Sequence, residues 1–137
     1  MIDVKLSLAE ALVRIVLGLL FFFQGFDKLF VIKMSEVVEL FMMDAQRRHI
    51  PKSMVAFMSY FTSLIELFGG LSLILGFYSD YAMIFLSFDI IMICFSFSLM
   101  HAMWDLRHVF PRLILLVILL LLPANAHYFC LDYLINH

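Results

Sequence analysis

Charged side chains are scarce in this chain. Asp, Glu, Lys and Arg supply 15% of its 137 residues, 65% are hydrophobic, and the mean hydropathy is +1.06. A soluble domain is only about half apolar, so the excess excludes an ordinary globular class and indicates a membrane protein. Cysteine is scarce too. Cys94 and Cys130 belong to no C-x-x-C pair, and helical rise places them near different depths of a bilayer, which excludes a dithiol motif and a bridge between them. No haem or zinc motif occurs, so no metal and no covalently bound cofactor is expected, and no nucleic-acid partner. The first residues lack a basic stretch and no small-x-small cleavage site follows the first apolar run, which therefore reads as a retained helix. There is no internal repeat, and the one low-complexity stretch is the leucine run at 113–122.

What the chain has in quantity is long apolar runs, at 8–26, 54–77, 82–100 and 113–122. A spanning helix needs about 20 residues, and the fourth run reaches that length with its flanks. The expected fold is an all-α membrane protein, a four-transmembrane-helix bundle forming one domain over 1–137, with spans at about 8–27, 54–77, 81–103 and 110–131. The only long connection, 27–53, interleaves Val37, Val38, Leu40, Phe41 and Met42 with Glu36, Glu39, Asp44, Arg47 and Arg48. That pattern predicts a short amphipathic helix at the membrane interface. Lys28, Lys33, Arg47, Arg48, Lys52, Arg107 and Arg112 share one side of this layout, whereas Lys5 is on the other. The positive-inside rule then puts both termini outside the cytoplasm.

Only four ionisable residues fall within the runs: Glu10, Arg14, Glu66 and Asp89. Intramembrane charge is costly and marks a candidate site. A rise of 1.5 Å per residue brings Arg14, Glu66 and Asp89 to a similar depth, roughly 10–14 Å from the outer surface for Arg14 and Asp89. Glu10, Arg14, Gly18, Phe21, Gly25 and Lys28 form one stripe by steps of three and four, as do Ser59, Thr62, Glu66, Gly69, Leu73 and Gly76. Such stripes of small and polar residues are interfaces between helices in lipid. The expectation is an Arg14–Glu66–Asp89 cluster, with Glu10 one turn outward and paired to Arg14. It is either a polar staple that fixes helix order or a ligand-binding or proton site. One arginine does not neutralise two or three carboxylates, so at least one of Glu66 and Asp89 is expected to be protonated or to face a wet cavity.

A second polar group, His101, Trp104, Asp105, Arg107 and His108, falls where the third span leaves the membrane, near Asp27 and Lys28. Trp104 suits an interfacial anchor. His101 and His108 share a helix face only if the helix continues, and capping chemistry explains their neighbours as well as a metal would.

The series Arg14-Ile-Val-Leu-Gly-Leu-Leu-Phe-Phe-Phe-Gln-Gly-Phe-Asp-Lys28-Leu, the series Glu66-Leu-Phe-Gly-Gly-Leu-Ser-Leu-Ile-Leu-Gly76-Phe, His101-Ala-Met-Trp104 and Cys130-Leu-Asp132 together resemble the DoxX family of small four-helix membrane proteins. The resemblance implies a bacterial inner-membrane location and a link to subunits of quinone-coupled oxidoreductases. It carries over to Arg14, Lys28, Glu66, His101 and Trp104; Asp89 comes from depth alone. Quinone is the cofactor this implies. The expected partners are the lipid bilayer and either other protein subunits or further copies of the chain.

Two functions compete. One is a membrane subunit of a redox complex whose polar cluster receives a quinone head group or relays a proton, not an enzyme sufficient by itself. The other is a non-catalytic binding or assembly subunit. A small transporter is less favoured, because the chain has neither discontinuous spans nor a repeat.

Overall fold

In the computed structural model, residues 2–100, 107, 109–122 and 135 are described. Helix α1, Ile2–Phe26, continues without a break into a π-helical turn at Asp27–Val31. The chain reverses at Lys33, whose φ is 66°, and enters α2, Met34–Ala45. A short 3₁₀ turn, Gln46–Arg48, follows. Then come α3, Lys52–Leu75, α4, Ser79–Met100, and α5, Phe110–Leu121.

Local chemistry explains the boundaries. Pro51 precedes the first turn of α3, where its missing N–H is not needed, and Pro111 occupies the first turn of α5 for the same reason. Helix α3 stops at Gly76, whose φ of 67° is the left-handed conformation that glycine adopts without a Cβ clash. Its N–H donates to the Leu73 carbonyl and that of Phe77 to the Ser72 carbonyl.

The helices pack around two apolar centres. The larger joins α1, α3, α4 and α5 through Leu17, Phe21, Leu73, Leu86, Ile90 and Leu116. The smaller holds α2 against the start of α3 through Met34, Val37, Val38, Ala45 and Val55. Large apolar side chains also point outward, with Phe57 66%, Phe68 61%, Ile84 63% and Ile91 65% exposed. In water such a surface would aggregate; around a bundle of this kind it contacts lipid.

Three helical stretches, Val4–Val31, Lys52–Leu75 and Ser79–Met100, are long and apolar enough to cross a bilayer, and the chain is a multi-pass membrane protein. Helix α5 is apolar but has 12 residues in its described part, about 18 Å by helical rise. The outer half expected for the fourth span, 123–131, lies outside the described residues, as do His101, Trp104, His127 and Cys130.

Candidate functional site

Glycines bring α1 and α3 unusually close. A Cβ on Gly25 would stand 2.6 Å from the Leu67 nitrogen and 2.7 Å from the Ser63 carbonyl oxygen, and one on Gly70 would stand 2.7 Å from the Gly18 carbonyl oxygen. At this separation a side chain on one helix reaches the other helix's interior groups. Both sequence stripes face inward: Glu10, Arg14, Gly18, Phe21 and Gly25 are buried on α1, and Ser59, Thr62, Glu66, Gly69, Leu73 and Gly76 on α3.

The charges on those stripes form two groups instead of one. In one, called the outer group because it lies nearer the Gly76 end of the bundle, Arg14 Nε donates to Glu10 Oε1 at 3.0 Å, and Arg14 Nη1 donates to the Leu73 carbonyl oxygen at 2.6 Å. Arg14 is therefore a second donor to the Leu73 carbonyl, which also accepts from the Gly76 N–H, in the last turn of α3, where the helix dipole favours a cation. In the inner group, Lys28 Nζ donates to Glu66 Oε2 at 2.7 Å, and Arg112 Nη1 approaches Glu66 Oε1 at 3.4 Å. The Arg112 guanidinium also sits over the Phe21 ring, 5.4 Å from its centroid.

The expected Arg14–Glu66–Asp89 cluster is thus corrected, although the Glu10–Arg14 pair is present. Helix geometry gives the reason. Side chains lean toward the N-terminus of their own helix, and α1 and α3 run in opposite directions, as the pairing of Arg14 with Leu73 and Lys28 with Glu66 requires. Arg14 leans toward the Gly76 end while Glu66 leans toward the Lys52 end. Glu66 and Leu73 are seven residues apart, about 10 Å, and the two leanings widen that gap.

The charge balance changes with it. Among the described residues within the bundle, the acids Glu10, Glu66 and Asp89 face as many cations, Arg14, Lys28 and Arg112. Lys28, expected in a polar group with His101 and Trp104, which lie outside the described residues, pairs with Glu66. Its signal was its place at the end of the α1 stripe. Arg112, expected as a loop charge, is 5% exposed in the first turn of α5. Its bond to Glu66 shows that α5 starts beside the middle of α3, a register that apolar length does not reveal.

The π-helical turn matters at Lys28. The Ile32 N–H donates to the Asp27 carbonyl at 2.8 Å, a five-residue step that widens the helix just where Lys28 leaves it. Such turns recur at functional sites. Asp89, on α4, is fully buried, and neither of its carboxyl oxygens has a hydrogen-bond partner among the described residues. It lies within electrostatic reach of Glu66, Lys28 and Arg112.

A cavity of about 120 Å³ opens beside the inner group, between the end of α1, α2, the start of α3 and the end of α4. Lys28, Gln24 and Thr62 line its polar part, and Phe41, Met58 and Phe97 its apolar part. A dry cavity of about 150 Å³ takes up benzene, so this space suits one six-membered ring. Among the described residues no group of His, Cys, Asp and Glu has metal-ligand geometry.

The outer group gives a direct test. Arg14→Leu removes both the cation beside buried Glu10 and the donor to Leu73, and breaking a buried pair from one side costs about 3–5 kcal/mol. Glu10→Gln retains an acceptor for Arg14 and should cost less. Thermal melting in detergent should rank Arg14→Leu well below Glu10→Gln; equal melting would contradict this arrangement.

Comparison with known proteins adds one finding. Neither the curated proteins nor the solved structures gave a match to this chain. Residues 9–99 match the family model described as DoxX, a stretch that contains Glu10, Arg14, Lys28, Glu66 and Asp89 and ends before Arg112. With two thirds of its length matched and an apolar helical bundle around those residues, this chain belongs to the DoxX family.

Proposed function

We propose that this chain is a membrane subunit of a quinone-linked redox complex, with the head group seated in the cavity beside Lys28. One observation carries the reading: Lys28 lines the cavity and also bonds buried Glu66 at 2.7 Å, so a ligand there touches the intramembrane charges directly. A bound quinone supplies a two-electron, two-proton acceptor, and the electrons are assigned to a redox cofactor of a partner protein. The residues of this chain do the rest. Lys28 donates to a head-group oxygen and offsets negative charge there, and Gln24 and Thr62 offer further polar contacts. Phe41, Met58 and Phe97 hold the ring and exclude water. Arg112 keeps Glu66 in place when Lys28 turns to the ligand.

A charge-assisted hydrogen bond is worth about 1.5–3 kcal/mol, or roughly 10- to 100-fold in affinity. Lys28→Met should therefore weaken binding of a short-tailed benzoquinone to the protein in lipid nanodiscs by at least about tenfold. Thr62→Val should weaken it less. Unchanged affinity in both variants would reject the cavity as the quinone site and leave a non-catalytic assembly subunit as the function.

The same reading includes a topology. The chain forms a single four-span domain in a bacterial inner membrane, α2 lies along the cytoplasmic interface, and both termini face outward. Exposed Lys33, Arg47, Arg48, Lys52 and Arg107 support this orientation, now without Lys28 and Arg112, which are engaged with Glu66. In a background lacking Cys94 and Cys130, Ser35→Cys should label with an impermeant thiol reagent only from the cytoplasm, and Asp80→Cys only from outside. The reverse pattern would invert the topology.

A further inference from the structure

Two carboxyl groups meet at the inner charge group, and their surroundings differ. Glu66 is held at both oxygens, by Lys28 from the end of α1 and by Arg112 from the start of α5. Asp89 of α4 shares the same electrostatic neighbourhood but accepts no hydrogen bond from either cation, nor from any other described residue. Both are fully buried. An ionised carboxylate in an apolar interior needs donors at its oxygens, whereas a protonated carboxyl carries its own donor and tolerates burial. Glu66 meets the first condition and Asp89 only the second.

We propose that Asp89 is the proton-carrying carboxyl of this protein and that Glu66, held at both oxygens by cations, is a fixed anchor. With its proton in place, Asp89 is neutral, and Lys28, Arg112 and Glu66 together carry one net positive charge. That charge borders the cavity through Lys28, so the ligand chemistry it favours is an acceptor or anionic oxygen on a compact ring. Loss of the Asp89 proton returns the group to neutrality and removes this preference. Proton release and the affinity of the cavity for a negatively charged oxygen are thereby linked through three side chains. The assignment deepens the quinone reading but does not need it, since it concerns the resting protein.

Infrared difference spectra of the full-length protein in lipid, recorded across a pH step and in H₂O and D₂O, report protonated carboxyl groups by their C=O stretch. The expected result is a buried, slowly exchanging carboxylic-acid band that shifts when aspartate, but not glutamate, carries ¹³C at its carboxyl carbon. The band should vanish in Asp89→Asn and persist in Glu66→Gln. The isotope experiment uses the unaltered protein, and Asp89 is the buried aspartate among the described residues, so an aspartate band supports the assignment even if Asp89→Asn does not fold. A band that follows glutamate labelling, or no buried carboxylic-acid band at all, would overturn the assignment. An aspartate band in a preparation that binds no quinone would support the assignment while counting against the quinone reading.

Discussion

Gly70→Leu should leave almost no folded protein. A Cβ at this position meets the Phe22 backbone nitrogen, the Gly18 carbonyl oxygen at 2.7 Å and the Phe22 Cα at 2.8 Å. All of these are backbone atoms, which no rotamer change can withdraw, so α1 and α3 must separate. Overpacking in a tight core typically costs about 1–3 kcal/mol where side chains can yield, and Gly70→Ala should already reach or exceed that range. Separation would also break the Arg14 bond to Leu73 and the Lys28 bond to Glu66, because both span the same interface. The neighbouring glycine provides a control. The three atoms nearest a Cβ on Gly69 all belong to the Leu86 side chain, the first at 2.9 Å, and that side chain can shift. Size-exclusion chromatography and melting in detergent should therefore show Gly69→Ala as a mild variant, Gly70→Ala as a severe one and Gly70→Leu as aggregated. Gly70→Leu melting close to the wild type would disprove the close approach of these helices.

That approach was legible in the sequence, because steps of three and four among Gly, Ser, Thr and charged residues mark a buried stripe in any helix. The apolar runs at 54–77 and 82–100 fall within a few residues of the helices α3, Lys52–Leu75, and α4, Ser79–Met100. The first loop does contain a helix, α2, Met34–Ala45. Beyond the Glu10–Arg14 pair, the partners of the charges were not legible. Depth computed from rise alone treats a side chain as a point on the axis, whereas Arg14 and Glu66 extend in opposite directions by several ångströms. Arg112 was hidden for a different reason. Beside Pro111 at the edge of an apolar run it looks like an interfacial loop charge, and only the tertiary register of α5 carries it to Glu66. The cavity likewise depends on residues from α1, α2, α3 and α4 that no spacing rule connects.

The central claim is that Glu66 and Asp89 serve the chemistry of the bound head group and do not only hold helices together. Glu66→Gln keeps the shape and one acceptor for Arg112 and Lys28, and Asp89→Asn keeps the shape but has no proton to release. Both variants should assemble, yet Asp89→Asn loses proton handling, which contributes about 10²–10⁴-fold to a rate when a positioned group supplies it, and Glu66→Gln loses the charge that holds Lys28 beside the cavity. The deciding measurement is quinone reduction per assembled complex in native-like membranes, normalised to the amount of this subunit that co-purifies with its partners. A fall of about a hundredfold or more in Asp89→Asn, and a smaller fall in Glu66→Gln, with assembly intact is the predicted result. Turnover that falls only in proportion to lost assembly, or does not fall at all, would contradict the claim and assign the buried charges to packing alone.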